Sequence, residues 1–370
     1  MASRRRDEAG RHESPAAAIP AQPTLPIKPM TSTQCRFLFL VAVGLLTAGA
    51  LPAAPGDGFP GRWALTTPGG HAGWLEIRAE NGWYDGSLLW NWGSVNPVDD
   101  VVIDGDTLTV TRIREVPRKD AAGRTVATQR LTEIITAQAA GDELHLTRTV
   151  PHDDGRGFDR EQFTGRRIPP LPPRPNPAQV RFGPPIVLFD GHDFSGWRIL
   201  EPESTNCWSV RDGVLVNQPP DWPHVEGRPH VNSGNLRTER EFEDFNLRLE
   251  VKVPTDSNSG IYLRGIYEVQ VLDSYGKPVD SHNMGAIYSR ITPTVAAEKP
   301  AGQWQTLDIT LVDRHVTVVL NGTRIIDNQP LQGCTGGALW SDEFRPGPIY
   351  LQGDHGPVEY RQIVLRPVLH

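Results

Sequence analysis

The stretch NSGIYLRGIYEVQVLD, residues 258–273, decides how the chain folds, because apolar and polar residues alternate through it and Gly265 interrupts them half-way. Successive side chains of a strand point to opposite faces, so Tyr262 and Arg264 share one face while Ile261 and Leu263 take the other. In the second half Glu268 and Gln270 share a face, opposite Val269 and Val271. Two strands are expected, broken or turned back at Gly265, with one oily side and one side bearing Arg264, Glu268 and Gln270. Carboxylates and amides are partners for hydroxyl groups and arginine is a fixed donor, so on a concave sheet such an array suits a sugar. A solvated strand face with an Arg264–Glu268 ion pair fits the same pattern, and Asp273 at the strand end is equally placed to cap a turn.

The alternation recurs downstream and upstream. FNLRLEVKV, residues 245–253, alternates strictly and stops at Pro254, as a strand with one buried face does. HVTVVL at 315–320, Asn321-Gly322 and TRII at 323–326 form a hairpin signal, since Asn-Gly supplies the two positive-φ residues that a tight turn needs. Residues 303–311 and 358–365 read as further strands, and no segment sustains a helical period. Alternating strands with long loops over residues 186–370 predict a two-sheet sandwich or jelly roll.

Before this lies a segment with eight prolines between Ile168 and Pro185. Such composition makes a stiff, extended spacer, so 169–185 is expected to be a linker between 55–168 and 186–370. The earlier part carries short alternating runs, WLEIR at 74–78, DTLTVTRI at 106–113, TEIIT at 132–136 and ELHLTR at 143–148. Turn signals at Glu80-Asn-Gly, Asp104-Gly-Asp and Ala140-Gly-Asp separate them, which predicts a small, lipocalin-like β-barrel. Trp63, Trp74, Trp83, Trp90 and Trp92 are expected in its core, and no acid–base constellation stands out, so it reads as an accessory domain. The fold class is therefore all-β.

Residues 1–54 are expected to be an N-terminal extension and a secretory signal. Arg36 precedes the apolar run FLFLVAVGLLTAGA at 37–50, and small residues follow it. That run is short for a bilayer span, and Met30 is a second candidate start. Export to the periplasm or medium is implied, with no stable membrane anchor once the signal is removed. A net charge of −7 argues against a nucleic-acid partner, because phosphate binding needs a basic face. Cys207 and Cys334 remain after the signal, as a disulfide or as two free thiols. There is no G-x-S-x-G, H-E-x-x-H, P-loop or C-x-x-C pattern, and no metal-ligand spacing among the histidines.

A second polar cluster, YLQGDHGP at 350–357, puts Gln352, Asp354 and His355 in a glycine-flanked loop before a strand. Loops held by a rigid sheet commonly carry site residues, and imidazole is suited to moving protons near neutral pH. A merely exposed histidine fits the pattern as well.

Ordered motifs then run through the second half: LFDGHDFSGW (188–197), WSVRDGVL (208–215), DFNL (244–247), NSGI (258–261), YEVQVLD (267–273) and GAIY (285–288). They continue with QW (303–304), LNG (320–322), LQGDHG (351–356) and YR (360–361). In this series the segment 186–370 resembles the 3-keto-disaccharide hydrolase family. The resemblance implies a concanavalin-like jelly roll and an exported enzyme cleaving 3-keto-glycosides, by C2 deprotonation and loss of the C1 group. It implies Glu268 or His355 as base and acid, Arg264 as enolate stabiliser, and Gln270 and Asp273 as hydroxyl partners. Asn258 and Gln352 join them as substrate contacts, and Tyr288 or Trp304 as a stacking surface, Trp304 being equally suited to the core. The chain departs from the family pattern at Gly353, Gln305 and Gln362. No cofactor is called for, although a divalent metal polarising the ketone is compatible with the chemistry. A non-catalytic, lectin-like carbohydrate-binding module is the alternative, since the same sandwich hosts many lectins.

Overall fold

The computed structural model describes residues 58–223 and 231–369; the expected signal segment lies outside them. Among the described residues every regular element is a strand. The first nine are β1 (Gly61–Thr66), β2 (Ala72–Ala79), β3 (Tyr84–Trp90), β4 (Asn96–Pro97), β5 (Asp100–Asp104), β6 (Thr107–Lys119), β7 (Thr125–Ala140), β8 (Glu143–Pro151) and β9 (Phe158–Arg167). They form one antiparallel sheet in the order β4-β3-β2-β1-β9-β8-β7-β6-β5. Its two edge strands, β4 and β5, are separated only by Val98 and Asp99. Val98 N donates to Gly86 O of β3 and Asp99 N to Thr111 O of β6, so one crossing segment joins both ends and the sheet curls into a barrel. Closure hides the open edges that an antiparallel sheet otherwise exposes. Trp63, Leu65, Leu75, Ile77, Leu88, Val110 and Leu144 fill the interior. The expectation of a barrel core holds for Trp63, which is buried there, and for the half-buried Trp90 packed against it; Trp74 is buried in the other core, and Trp83 and Trp92 are exposed.

The rest is a jelly-roll sandwich. Its strands are β10 (Arg181–Phe182), β11 (Ile186–Phe189), β12 (Trp197–Ile199), β13 (Trp208–Arg211), β14 (Val214–Asn217), β15 (Leu236–Thr238) and β16 (Phe245–Lys252). They continue as β17 (Asn258–Leu263), β18 (Tyr267–Leu272), β19 (Gln305–Val312), β20 (His315–Leu320), β21 (Thr323–Pro330), β22 (Tyr350–Leu351) and β23 (Val358–Leu369). The back sheet runs β13-β14-β23-β16-β19-β20-β21, with β10 and β11 also on β23, and the front sheet runs β12-β15-β22-β17-β18. Between them Leu236, Leu247, Leu249, Ile261, Val269, Ile309, Val318 and Leu351 pack as one core. Asn321 (φ 51°) and Gly322 (φ 81°) form the tight turn between β20 and β21.

The proline-rich segment is no free spacer. Pro170 O and Pro175 O accept bonds from Arg314 Nη2 and Asn328 Nδ2, and Phe182 pairs with Val368 at the end of β23. Ala72, Trp74, Leu89 and Ile168 belong to the sandwich core rather than to the barrel's own. Arg290 joins the two parts, stacking on Trp74 at 4.1 Å while its guanidinium donates to Cys334 O and Gln332 O. Cys207 and Cys334 are free, and burial pushes the Cys334 thiol up to about 12.

Because the two parts share apolar core, the chain is expected to unfold in one transition. Arg290→Met, which abandons those carbonyls and the stacking, is expected to lower stability by about 2–4 kcal/mol. Thermal unfolding of parent and variant checks both points; two separate transitions in the parent would contradict the shared core.

Candidate active site

The front sheet carries two kinds of row across its strands. Leu236, Leu351, Ile261 and Val269 lie in register and face the core. The neighbouring row therefore faces away: Arg237 opposite Tyr350, Tyr350 opposite Tyr262, and Tyr262 opposite Glu268. One step further along, Gly260 stands opposite Gln270, and Gln352 N donates to Gly260 O. Glu268, Gln270, Gln352, Tyr262 and Tyr350 are all buried although they face away from the core, and the 335–337 segment lies against Tyr262, Tyr350 and Glu268. Tyr262 OH donates to Gly336 O at 2.7 Å and Tyr350 OH to Gly337 O at 2.8 Å. The two rings stack at 3.8 Å.

Glu268 is the centre of this face. The residue is 4% exposed, and its Oε2 lies 3.0 Å from the Tyr262 hydroxyl, whose one proton it shares with Gly336 O. It leans across Gly260, where a Cβ would overlap the carboxylate, so only glycine leaves it room. Burial pushes the carboxyl up to about 8; the Tyr262 hydroxyl pulls the other way, and the nearby Asp354 charge adds to the rise. Beside it two buried amide oxygens, Gln270 Oε1 and Gln352 Oε1, have no protein partner. Buried polar atoms are normally paired, so two orphans flanking a dry carboxyl mark a place built for a polar guest. Gln270 Nε2 is held by Asn258 Oδ1 at 3.1 Å.

The 352–356 loop borders the same face. Asn217 Nδ2 donates to Gly353 O and Gly356 O, and Gly353 N donates to Asn235 Oδ1. The extra glycine is thus pinned between two asparagines. Beyond it His355 Nδ1 meets Asp354 Oδ1 at 2.6 Å, with the imidazole 46% exposed. A carboxylate accepts, so Nδ1 carries the proton and Nε2 is left for other work.

Three sequence expectations require correction. Arg264 does not stand beside Glu268: it falls in the turn after β17 with φ 54°, and its guanidinium donates to Glu343 O and Arg345 O. Leaving the strand breaks the period that would have kept it on the Tyr262 face. Trp304 stands at the other sheet, between Lys252 and Arg361 on the outer side of β16 and β23. Asp273 caps a turn, Oδ2 accepting from Asp256 N at 3.1 Å. Tyr288 stays close, its N donating to Glu268 O and its ring meeting His282 edge-on. Tyr262, Tyr350 and Gly260 on the face, and Asn217 and Asn235 holding the loop beside it, were not singled out from sequence. Pairing between distant strands creates their roles, and only the alternation at Tyr262 hinted at one. Among the described residues no three His, Cys, Asp or Glu side chains are gathered as metal ligands.

Residues 184–366 match the family model described as a 3-keto-alpha-glucoside-1,2-lyase-like domain. This domain belongs to the 3-keto-disaccharide hydrolase family. Over 170 residues the chain is 26% identical to a 3-keto-disaccharide hydrolase of Bacteroides thetaiotaomicron, covering 38% of this chain and 57% of that protein. The chain thus spans little more than half the length of that curated relative. Two solved glycosyl hydrolase structures from Parabacteroides distasonis are also similar. One is 31% identical, with 54% of this chain and 93% of that chain covered and a TM-score of 0.40; the other is 20% identical, with 50% and 93% covered and a TM-score of 0.39. The match of the hydrolase-family domain begins at 184, so the barrel lies outside it.

Two outcomes are expected. Gly260→Ala pushes Glu268 aside, lowering stability by about 1–3 kcal/mol and disturbing whatever the carboxyl does. Glu268 has a folded pKa above its unfolded one, so the cost of holding it grows from the ordinary carboxyl range up to about pH 8. Glu268→Gln removes that cost, on the order of a few kcal/mol. Its melting temperature relative to the parent is therefore expected to rise between pH 5 and pH 8 and then level off. A difference independent of pH would place the carboxyl at its ordinary value.

Proposed function

We propose that the protein is an exported enzyme that cleaves 3-keto-glycosides at the Glu268 face. The observation that carries the proposal is the dry carboxyl of Glu268, raised to about 8 and flanked by two unpartnered amide oxygens. Family membership supports the substrate class.

A ketone at C3 acidifies the hydrogen on C2, and a base of raised pKa is matched to removing it. Glu268 takes that proton, and the C2–H electrons pass into the enolate on the ketone oxygen. The enolate then collapses, the C1–O bond breaks, and the leaving oxygen receives a proton. An acid for this step must be recharged from solvent, which suits His355, exposed and oriented by Asp354. Water adding across C1 and C2 of the unsaturated product completes hydrolysis. Without water addition the outcome is that of a lyase. Gln270 and Gln352 accept from sugar hydroxyls, which donate to the orphan amide oxygens. This chemistry needs one base and one acid at neighbouring carbons, unlike the carboxylate pair of ordinary glycosidases.

The test is release of 3-ketoglucose from a 3-keto-glucoside, with and without chelator, as a function of pH. The value of kcat/KM is expected to rise with pH through a midpoint near 8 and to fall at least a hundredfold in Glu268→Gln. A profile that falls through the same midpoint would make Glu268 the acid and reverse the order. Saturable binding without release would leave a carbohydrate-binding module.

A further inference from the structure

Trp92 is 63% exposed at the tip of the β3–β4 loop of the barrel, yet the loop that carries it is fixed to both segments bordering Glu268. On one side Gly337 N donates to Asn91 O at 3.2 Å, and Gly93 lies so close to Gly336 that no side chain fits between them. Gly336 O is the acceptor of Tyr262 OH, which also holds Glu268. On the other side Ser94 Oγ meets His282 Nε2 at 2.9 Å, and Val95 N donates to Ser289 Oγ at 2.9 Å. His282 packs edge-on against Tyr288, whose N donates to Glu268 O. Within the barrel, Thr67 Oγ1 donates to Asn91 Oδ1 at 2.5 Å, and the His71 ring lies 6.1 Å from that of Trp92.

An indole left in water on a loop whose main chain is held this firmly is an apolar face kept available for a ligand. Sugar rings present flat C–H faces that stack on aromatic rings, while their hydroxyls point outward to polar walls. Trp83 provides the contrast: it is 61% exposed as well, but it sits before β3, at the strand's opposite end.

Resting on the 3-keto-glycoside function proposed above, we infer that the barrel supplies a wall of the same site, with Trp92 as the stacking platform for the leaving-group sugar. The barrel is then a specificity element rather than a detached accessory. The 3-keto ring is gripped by Glu268, Gln270 and Gln352, and the ring beyond the scissile bond rests on Trp92. Chain length of the substrate is read by the barrel and ketone chemistry by the sandwich.

The experiment measures binding by calorimetry in the full chain carrying Glu268→Gln, so that ligand is not consumed. Two probes are used, a 3-keto-disaccharide and the methyl glycoside of 3-ketoglucose. Adding Trp92→Ala is expected to weaken the disaccharide about tenfold, as loss of one aromatic stacking contact does, and to leave the methyl glycoside within about twofold. Trp83→Ala is expected to change neither. Equal disaccharide affinity with and without Trp92, equal losses for both probes, or the same loss in Trp83→Ala would overturn the subsite while leaving the Glu268 chemistry standing. If the parent chain neither binds nor turns over the methyl glycoside, the 3-keto-glycoside function fails and the subsite fails with it.

Discussion

A carboxyl group held out of water on the far side of a hydrophobic sheet is unstable unless its surroundings answer for it, and Glu268 is in that position. One hydroxyl donates to it, a glycine beneath it leaves it room, and the 335–337 segment closes over the row that carries it. The segment's own main chain is fixed by accepting from Tyr262 and Tyr350. Exclusion of water raises the basicity of the carboxyl and strengthens every polar contact near it. The same arrangement therefore weakens the fold as pH rises towards 8, and strongly shifted groups of this kind cluster at functional sites.

The barrel enters through that covering segment. Its β3–β4 loop meets Gly336 and Gly337 from outside, while Trp74 and Leu89 extend the sandwich core and Arg290 ties Trp74 to the carbonyls of Cys334 and Gln332. Covering, loop and barrel form one continuous path from an apolar core to the buried Glu268 carboxyl. A perturbation in the barrel can thus be felt at Glu268 without touching it.

Local order was well written in the residues. The alternation at 245–253, the Asn321-Gly322 turn and the interruption at Gly265 named strands and hairpins that the fold contains. Glu268 and Gln270 share a face as their spacing required. Arg264 was misplaced because a period of two says nothing about where the strand ends, and the turn begins one residue earlier than Gly265. Trp304 was misplaced because alternation separates two faces of one sheet without saying which sheet. The partnership of Tyr350 with Tyr262 and the bond from Tyr262 to Gly336, 74 residues on, join distant parts of the chain; no local pattern records such pairings.

One strand has a consequence for how the molecule comes into being. β23, residues 358–369, pairs with β10, β11, β14 and β16 and so stitches together segments spread from residue 181 to residue 252. Without it the back sheet splits into β13-β14 on one side and β16-β19-β20-β21 on the other, and β10 and β11 lose their partner. Pairings between segments this far apart in sequence form slowly and leave apolar strand faces exposed until they are made.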